Sequence, residues 1–461
     1  MIGVAITTHN RGKVALETFA KWKAMLPEKA LLIVVDDASD EPFPNAEYRF
    51  SSNVGIARAK NKCIELLIEK GCTELFLSDD DTYPTSPNWW KPYIGSPYPL
   101  LSYTFSSVGR GIQNGNRLIK RESAHKWYSN PCGCMVYVSK IVIDTIGGYD
   151  IQYALYGDEH LDFAIRAKNA GLLPHSYIDV ADHLFYCHDQ SGNYRTSRTD
   201  KQAQLYLSRR RLLQQKDSKA FFSFKESPSK MQKPYILSSY LNYEKDPQRN
   251  VILPNSIEAL RPLMNSCQDL GIRLVILTNC KFENEGTTEF VRIDNPDPKF
   301  TPVDFRWLIQ LDYIQKNPTT MVWCVDGTDV EVLKNPFNIN PTKLYVGYEK
   351  GQTLANGWLW RHLLPFCKNR NHKSWFAASK HLTLLNCGVV GGGYSIALKF
   401  YQMMANDIVL NAVNVKGRPM DMASLNYVVY NHFPKDFISG EQVVTEFKAY
   451  ERNDISLFKH K

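Results

Sequence analysis

Between Ile2 and Asp81 the chain alternates short apolar runs with longer amphipathic ones: IGVAITT, KVALETFAKWKAML, ALLIVVDDAS, GIARAKNKCIELLIEKG and ELFLSDDD. The short runs read as buried strands, and the long ones carry apolar residues at helical spacing. Parallel neighbours in a sheet need a crossover, usually a helix, so this alternation predicts a mostly parallel α/β sheet. Every short run ends in polar residues. That places the chemistry at the C-terminal ends of the strands, where open α/β sheets bind ligands.

The pattern restarts at Pro234. PYILSSYL, RNVILP, RLVILTN and TMVWCVDG read as strands, and SIEALRPLMNSCQDLG and DFRWLIQLDYIQKN as helices. A chain of 461 residues is too long for one average core. The expectation is two α/β domains of one design, residues 1–215 and 234–461, joined by a basic linker over 216–233. There is no short-period repeat and no low-complexity tract.

The apolar share is 44% and the charged share 22%, ordinary for a globular protein. No apolar run reaches the ~18 to 20 residues that cross a bilayer, so no membrane insertion is expected. The chain opens on a strand at its second residue, which leaves no room for a signal peptide. Ten cysteines are scattered, and the close pair Cys132 and Cys134 lacks zinc-knuckle or redox spacing. These features point to a reduced, cytoplasmic setting without a structural metal. The net charge of +8 is concentrated: Arg195 to Lys233 holds eleven Lys/Arg against three Asp/Glu. The segment, with Arg209, Arg210 and Arg211, is either a solvated helix or a strip for an anionic partner such as nucleic acid or an acidic glycan.

The run FLSDDDTYP sets three aspartates behind an apolar strand. Alone it fits a solvated turn, an N-cap, a phosphatase nucleophile or a ligand set for a hard cation. The phosphatase pattern needs Thr where Tyr83 stands. Further features accompany the run: TTHNR, VVDDAS and NVGIARAKN before it, NPCGCMVYVSKIVIDTIGGYD and YGDEHLDFAIRAKNAG after it.

In this order, over Ile2 to Tyr186, the series resembles a GT-A glycosyltransferase of the family 2 type and the catalytic domain of polypeptide GalNAc transferases. The resemblance implies tandem GT-A-like (Rossmann-like) domains and transfer from a nucleotide-diphosphate sugar, a UDP-sugar in the first instance. It implies that Thr7, Asn10, Asp36, Asp37, Asn53, Arg58 and Asp80 bind the donor, with Asp36 or Asp37 at the uracil. It also implies Mn²⁺ or Mg²⁺ on Asp79, Asp81 and His183, with His188 as rival ligand. A cation held there neutralises the charge growing on the diphosphate as the glycosidic bond breaks. Glu159, Asp162 and Arg166 match the family's G-x-E-D-x-D-x-x-x-R helix start. The chain departs from the family at His160, where inverting members place an Asp base and the retaining GalNAc transferases an Asn. His160, Glu159 and Asp158 are thus the candidate bases, and the anomeric outcome stays open.

The second half resembles a GT-A domain more loosely. VDGTDVEVLKNPF, LLNCGVVGGG and DMASLN supply a second candidate site: Asp326, Asp329, Asn386 with Gly388, and Asp421 with Asn426. The alternative is a decayed copy that binds acceptor or dimerises. Gly391 to Gly393 read as a tight turn or a phosphate cradle. For the acceptor, DNA bearing a hydroxylated base competes with a surface polysaccharide, and the basic strip tips the balance slightly to DNA. A protein that binds sugar nucleotides or glycans without turnover is the non-enzymatic reading.

Overall fold

The computed structural model describes residues 1–104, 117–188, 201–225, 231–247, 249–362, 364, 370–412, 419–449 and 451–460. It divides into two compact units, 1–198 with 204–228, and 199–203 with 229–461. The architecture is α/β with two mostly parallel sheets, as tandem Rossmann-like domains require. Among the described residues no helix is long and apolar enough to cross a membrane.

The first unit runs β1 (Ile2–Thr8), α1 (Gly12–Ala24), β2 (Leu31–Asp36), β3 (Tyr48–Arg49), α2 (Ile56–Glu69), β4 (Glu74–Asp79), β5 (Thr82–Pro84), α3 (Lys91–Ile94) and β6 (Leu100–Ser102). It continues with β7 (Leu118–Arg121), β8 (His125–Tyr128), β9 (Met135–Ser139), α4 (Lys140–Ile146), α5 (Glu159–Asn169), β10 (Ile178–Val180), β11 (Phe185–Cys187) and α6 (Gln202–Gln215). Its main sheet has the order β3-β2-β1-β4-β9-β6. The first four strands are parallel, and β9 is antiparallel to both β4 and β6. Side chains alternate across the pleat, so Ala5, Leu75 and Leu77 feed one core and Val4, Ile6 and Phe76 the other. The order reverses beside β1, whose neighbours are β2 and β4, and the polar strand ends collect at that switch point.

The second unit runs β12 (Tyr235–Tyr240), α7 (Arg261–Asp269), β13 (Leu274–Thr278), β14 (Thr288–Arg292), α8 (Pro302–Lys316), β15 (Met321–Asp326), β16 (Val330–Val332) and β17 (Leu344–Thr353). After these come α9 (Gly357–His362), α10 (Arg370–Ala378), β18 (Thr383–Gly393), α11 (Tyr394–Ala412), α12 (Asp421–His432), β19 (Phe437–Ser439) and β20 (Phe458–His460). Its sheet has the order β14-β13-β12-β15-β18-β17-β19. Here too the first four strands are parallel and the fifth, β18, is antiparallel.

Three local expectations change. RNVILP is not a strand: Val251 and Ile252 are exposed, and the segment makes only an isolated bridge between Asp246 and Val251. Gly391 to Gly393 form neither turn nor cradle. They lie in β18, and a Cβ on Gly391 would stand 2.3 Å from the Trp323 ring, so the bare backbone is what lets β15 present an indole there. The stretch 216–225, expected as linker, belongs to the first unit, where Phe222 O accepts from Gly148 N at 2.7 Å. Arg195, Arg198 and residues 226–230 of the basic stretch lie outside the described residues.

Candidate active site

The aspartate run closes β4, and each carboxylate already faces a cation of the chain. Lys60, fully buried on α2, sets Nζ 2.8 Å from Asp79 Oδ1, an ion pair without the alignment of a good hydrogen bond. Arg11, in the loop after β1, forks onto Asp80 and Asp81 at 2.9 Å each. Thr8 Oγ1 donates to Asp80 at 2.7 Å. Burial pushes the Asp80 carboxyl up to about 7 against the pull of Arg11. Asp79 is the accessible member, with a side chain 36% exposed, against 9% for Asp81.

Asp36 and Asp37 shape loops. Asp36 ends β2 fully buried and accepts from Ser39 N at 2.9 Å and Phe43 N at 3.0 Å. Burial acts to raise its carboxyl, but these bonds and Arg49 bring it below the ordinary value. Asp37 accepts from Val54 N at 2.7 Å and Gly55 N at 2.9 Å. Burial keeps it above the ordinary value despite both bonds. Gly55 is required there: φ is +86°, and a Cβ would fall 2.4 Å from Leu155 Cα. Asn53 Nδ2 lies 2.9 Å from His9 Nε2, and Asn10 accepts from Asp40 N at 2.7 Å. Thr7 reaches Ser78 O at 3.4 Å. Arg58 is half-buried in the first turn of α2.

The acidic helix start is held from two sides. Asn61 bonds both backbone groups of Tyr149, and the buried Arg166 donates to Asp162 at 2.7 Å, Ile146 O at 2.9 Å and Gly148 O at 2.8 Å. Between these clamps, Glu159 opens α5 with Oε2 accepting from Gly157 N at 2.8 Å. Burial, reinforced by Asp79 nearby, pushes its carboxyl up to about 7. His160 Nε2 lies 3.6 Å from Glu159 Oε1, its ring sits under Gly133, and its Nδ1 is buried without a hydrogen bond. Burial and Lys60 push the imidazole down to about 3. Asp158, in a left-handed conformation, is raised by burial, opposed by Arg209 at 3.2 Å. Asp79, Lys60, Glu159 and His160 are therefore one electrostatic neighbourhood.

The two histidines separate. His188 N donates to Asp81 O at 2.9 Å, because β11 pairs with β5 so that Cys187 faces Thr82. His183 sits beyond the other end of β11, with Nε2 3.4 Å from the Tyr103 hydroxyl. In α6, Arg211 is turned inward onto buried Asp150, with Nε at 2.7 Å, whereas Arg209 is exposed. Among the described residues no three His, Cys, Asp or Glu side chains gather as a metal cage.

In the second unit, Asp326, Asp329, Asn386 and Asp421 line one cleft of about 720 Å³. Arg306 bridges Asp326 and Asp421, the latter at 3.0 Å, and Arg249 bridges Asp329 at 2.6 Å and Asp246 at 3.2 Å. Asn386 donates to Glu349 at 3.0 Å and accepts from Gly388 N at 2.8 Å. Asn426 holds Leu385 on β18. Sequence reasoning missed the basic partners Arg11, Lys60, Arg249 and Arg306. For Lys60 and Arg306 the available signal was a basic residue on the helix leading into each aspartate strand; Arg11 and Arg249 lie in loops and carried no such signal.

No family model matches the chain. It is 26% identical over 217 residues to the protein named Uncharacterized glycosyltransferase R363 of Acanthamoeba polyphaga mimivirus, a match that takes in 42% of this chain and 79% of that protein. The similarity supports glycosyl transfer as the general activity.

Proposed function

We propose that the first unit is a GT-A-type glycosyltransferase that moves a sugar from a nucleotide-diphosphate sugar, a UDP-sugar in the first instance, to an acceptor hydroxyl. One observation supports this reading above the others: at the switch point of the sheet, a carboxylate run flanked by Lys60 and Arg11 stands beside a buried acid titrating near neutrality. Arg11 would face the diphosphate as negative charge builds on the leaving group, while the buried Lys60 would act through Asp79. Glu159 is the base we assign. A carboxylate with a pKa of about 7 matches the working pH, whereas an imidazole lowered to about 3 accepts a proton weakly. His160 then packs under Gly133 and edge-on to Tyr149.

Mn²⁺ or Mg²⁺ fits the corner on the chemistry of its donors. Cations of this kind take one or two protein carboxylates and complete their shell with water and substrate phosphates, so a three-residue cage is not needed. Asp79 and Asp81 would hold it; His183 lies against Tyr103, and His188 is tied to Asp81 through its backbone, its imidazole facing Glu17. Bound there, it would supply Lewis-acid stabilisation of the leaving diphosphate.

For the acceptor we favour a saccharide over DNA, because Arg209 and Arg211 are paired with Asp158 and Asp150 and do not form a free phosphate strip. The test is release of nucleoside diphosphate from a panel of nucleotide sugars, with Mn²⁺ and then EDTA. Release that EDTA suppresses and Asp79→Asn abolishes is the expected result. Release unaffected by both would remove the proposal.

A further inference from the structure

The cleft of the second unit repeats the site of the first, part by part. Each unit has the same sheet core, four parallel strands in the order third-second-first-fourth and then an antiparallel fifth. In each, the fourth strand is six residues long and ends on an aspartate, Asp79 in β4 and Asp326 in β15. In each, the helix leading into that strand presents a cation at its fifth residue, Lys60 on α2 and Arg306 on α8, and that cation pairs with the aspartate. The loop after the first strand supplies an arginine that reaches the carboxylates beyond the fourth strand's end: Arg11 on Asp80 and Asp81, Arg249 on Asp329, with Asp246 of its own loop as a second partner. An acidic residue opens the helix facing the corner, Glu159 in α5 and Asp421 in α12. Beyond the sheet order, four coincidences of position and charge are more than a shared fold demands, since a sheet order sets where ligands bind but not which charges meet there.

We infer that the second unit carries its own nucleotide-diphosphate-sugar site, so that the chain holds two donor sites. The inference rests on the reading of the first unit and extends it to a second cleft. A volume of about 720 Å³ falls within the range of sites for ligands of that size. Two further features point to a ligand. His460, 2% exposed, lines the cleft with its Nδ1 unpartnered, although nearly every buried polar atom finds a partner in a folded protein. Trp358 lines the same cleft and is 37% exposed, a planar surface able to stack on a base or sugar ring.

The experiment counts donor equivalents. The intact chain is titrated calorimetrically with UDP, GDP, CDP and dTDP, each with Mn²⁺ and with EDTA. Two equivalents per chain are expected, counted over the panel. The Asp326→Asn, Asp329→Asn double variant should lose one, and Asp79→Asn, Asp81→Asn should lose the other. Because Asp326 compensates a buried arginine, Trp358→Ala serves as a second variant outside the cleft's ion pairs, with its folding checked by thermal melting, and it should weaken the second equivalent at least tenfold. A single equivalent that the second-unit variants leave intact would overturn this inference while the reading of the first unit stands. A single equivalent lost only with the second-unit variants would overturn the assignment of activity to the first unit. No binding at all would overturn both.

Discussion

Replacing Glu159 by Gln removes one proton-accepting oxygen and leaves volume and burial nearly unchanged. The carboxyl titrates at about 7 in the folded protein, raised chiefly by burial. As a base it works only when ionised, so activity rises with pH through that value. With a pKa near 7, about one site in eleven is ionised at pH 6 and about ten in eleven at pH 8, a roughly tenfold gain in kcat/KM across the interval. In Glu159→Gln the rate should drop by about 10² to 10⁴, the usual worth of a general base, and the limb near pH 7 should vanish. His160→Asn should keep the limb, since an imidazole held at about 3 stays neutral throughout. The assay is initial-rate sugar transfer from pH 5 to 9, with donor binding measured separately as a control for folding. A Glu159→Gln enzyme that retains the limb, or a His160→Asn enzyme that loses it, would refute the assignment.

Arg166→Met strands the buried carboxylate of Asp162 and three backbone carbonyls, and it should cost about 3 to 5 kcal/mol in chemical denaturation. Gly55→Ala puts a methyl 2.4 Å from Leu155 Cα at φ +86°, so a loss of at least about 1 to 3 kcal/mol is expected by the same measurement. Duplex DNA should show no salt-steep binding to the intact protein. A log–log slope worth several phosphates, flattened by Arg209→Ala with Arg210→Ala, would restore the DNA acceptor.

Much of this arrangement was legible in the sequence because hydrophobic periodicity and strand-end polarity report the sheet directly. IGVAITT and ELFLSDDD are strands within two residues of their expected ends, and α2 and α8 fall where their apolar spacing puts them. RNVILP failed because β-branched residues show only that a segment can form a strand, and here no neighbour covers Val251 and Ile252. The aspartates were visible as a cluster, but what offsets their repulsion was not. Lys60 and Arg306 look like solvated helix positions in sequence and become buried partners only when the sheet brings β4 and β15 beside their helices. His183 and His188 differ by five residues, and only the pairing of β11 with β5 decides which one is bonded to Asp81. The basic segment is a similar case. Its charge is plain from composition, while the inward turn of Arg211 onto Asp150 depends on how α6 packs within the first unit.

In the proposed function, a nucleotide-diphosphate donor lies across the C-terminal ends of β1, β2 and β4 in the first unit. A crystal structure of the intact chain with a nucleoside diphosphate and Mn²⁺ tests it most directly. The diphosphate is expected against Asp79 and Asp81 with Arg11 beside it and Lys60 behind Asp79, and the base toward the Asp37–Asn53 edge. A nucleotide bound elsewhere on the first unit, or only in the second-unit cleft with the Asp79 corner empty, would contradict it.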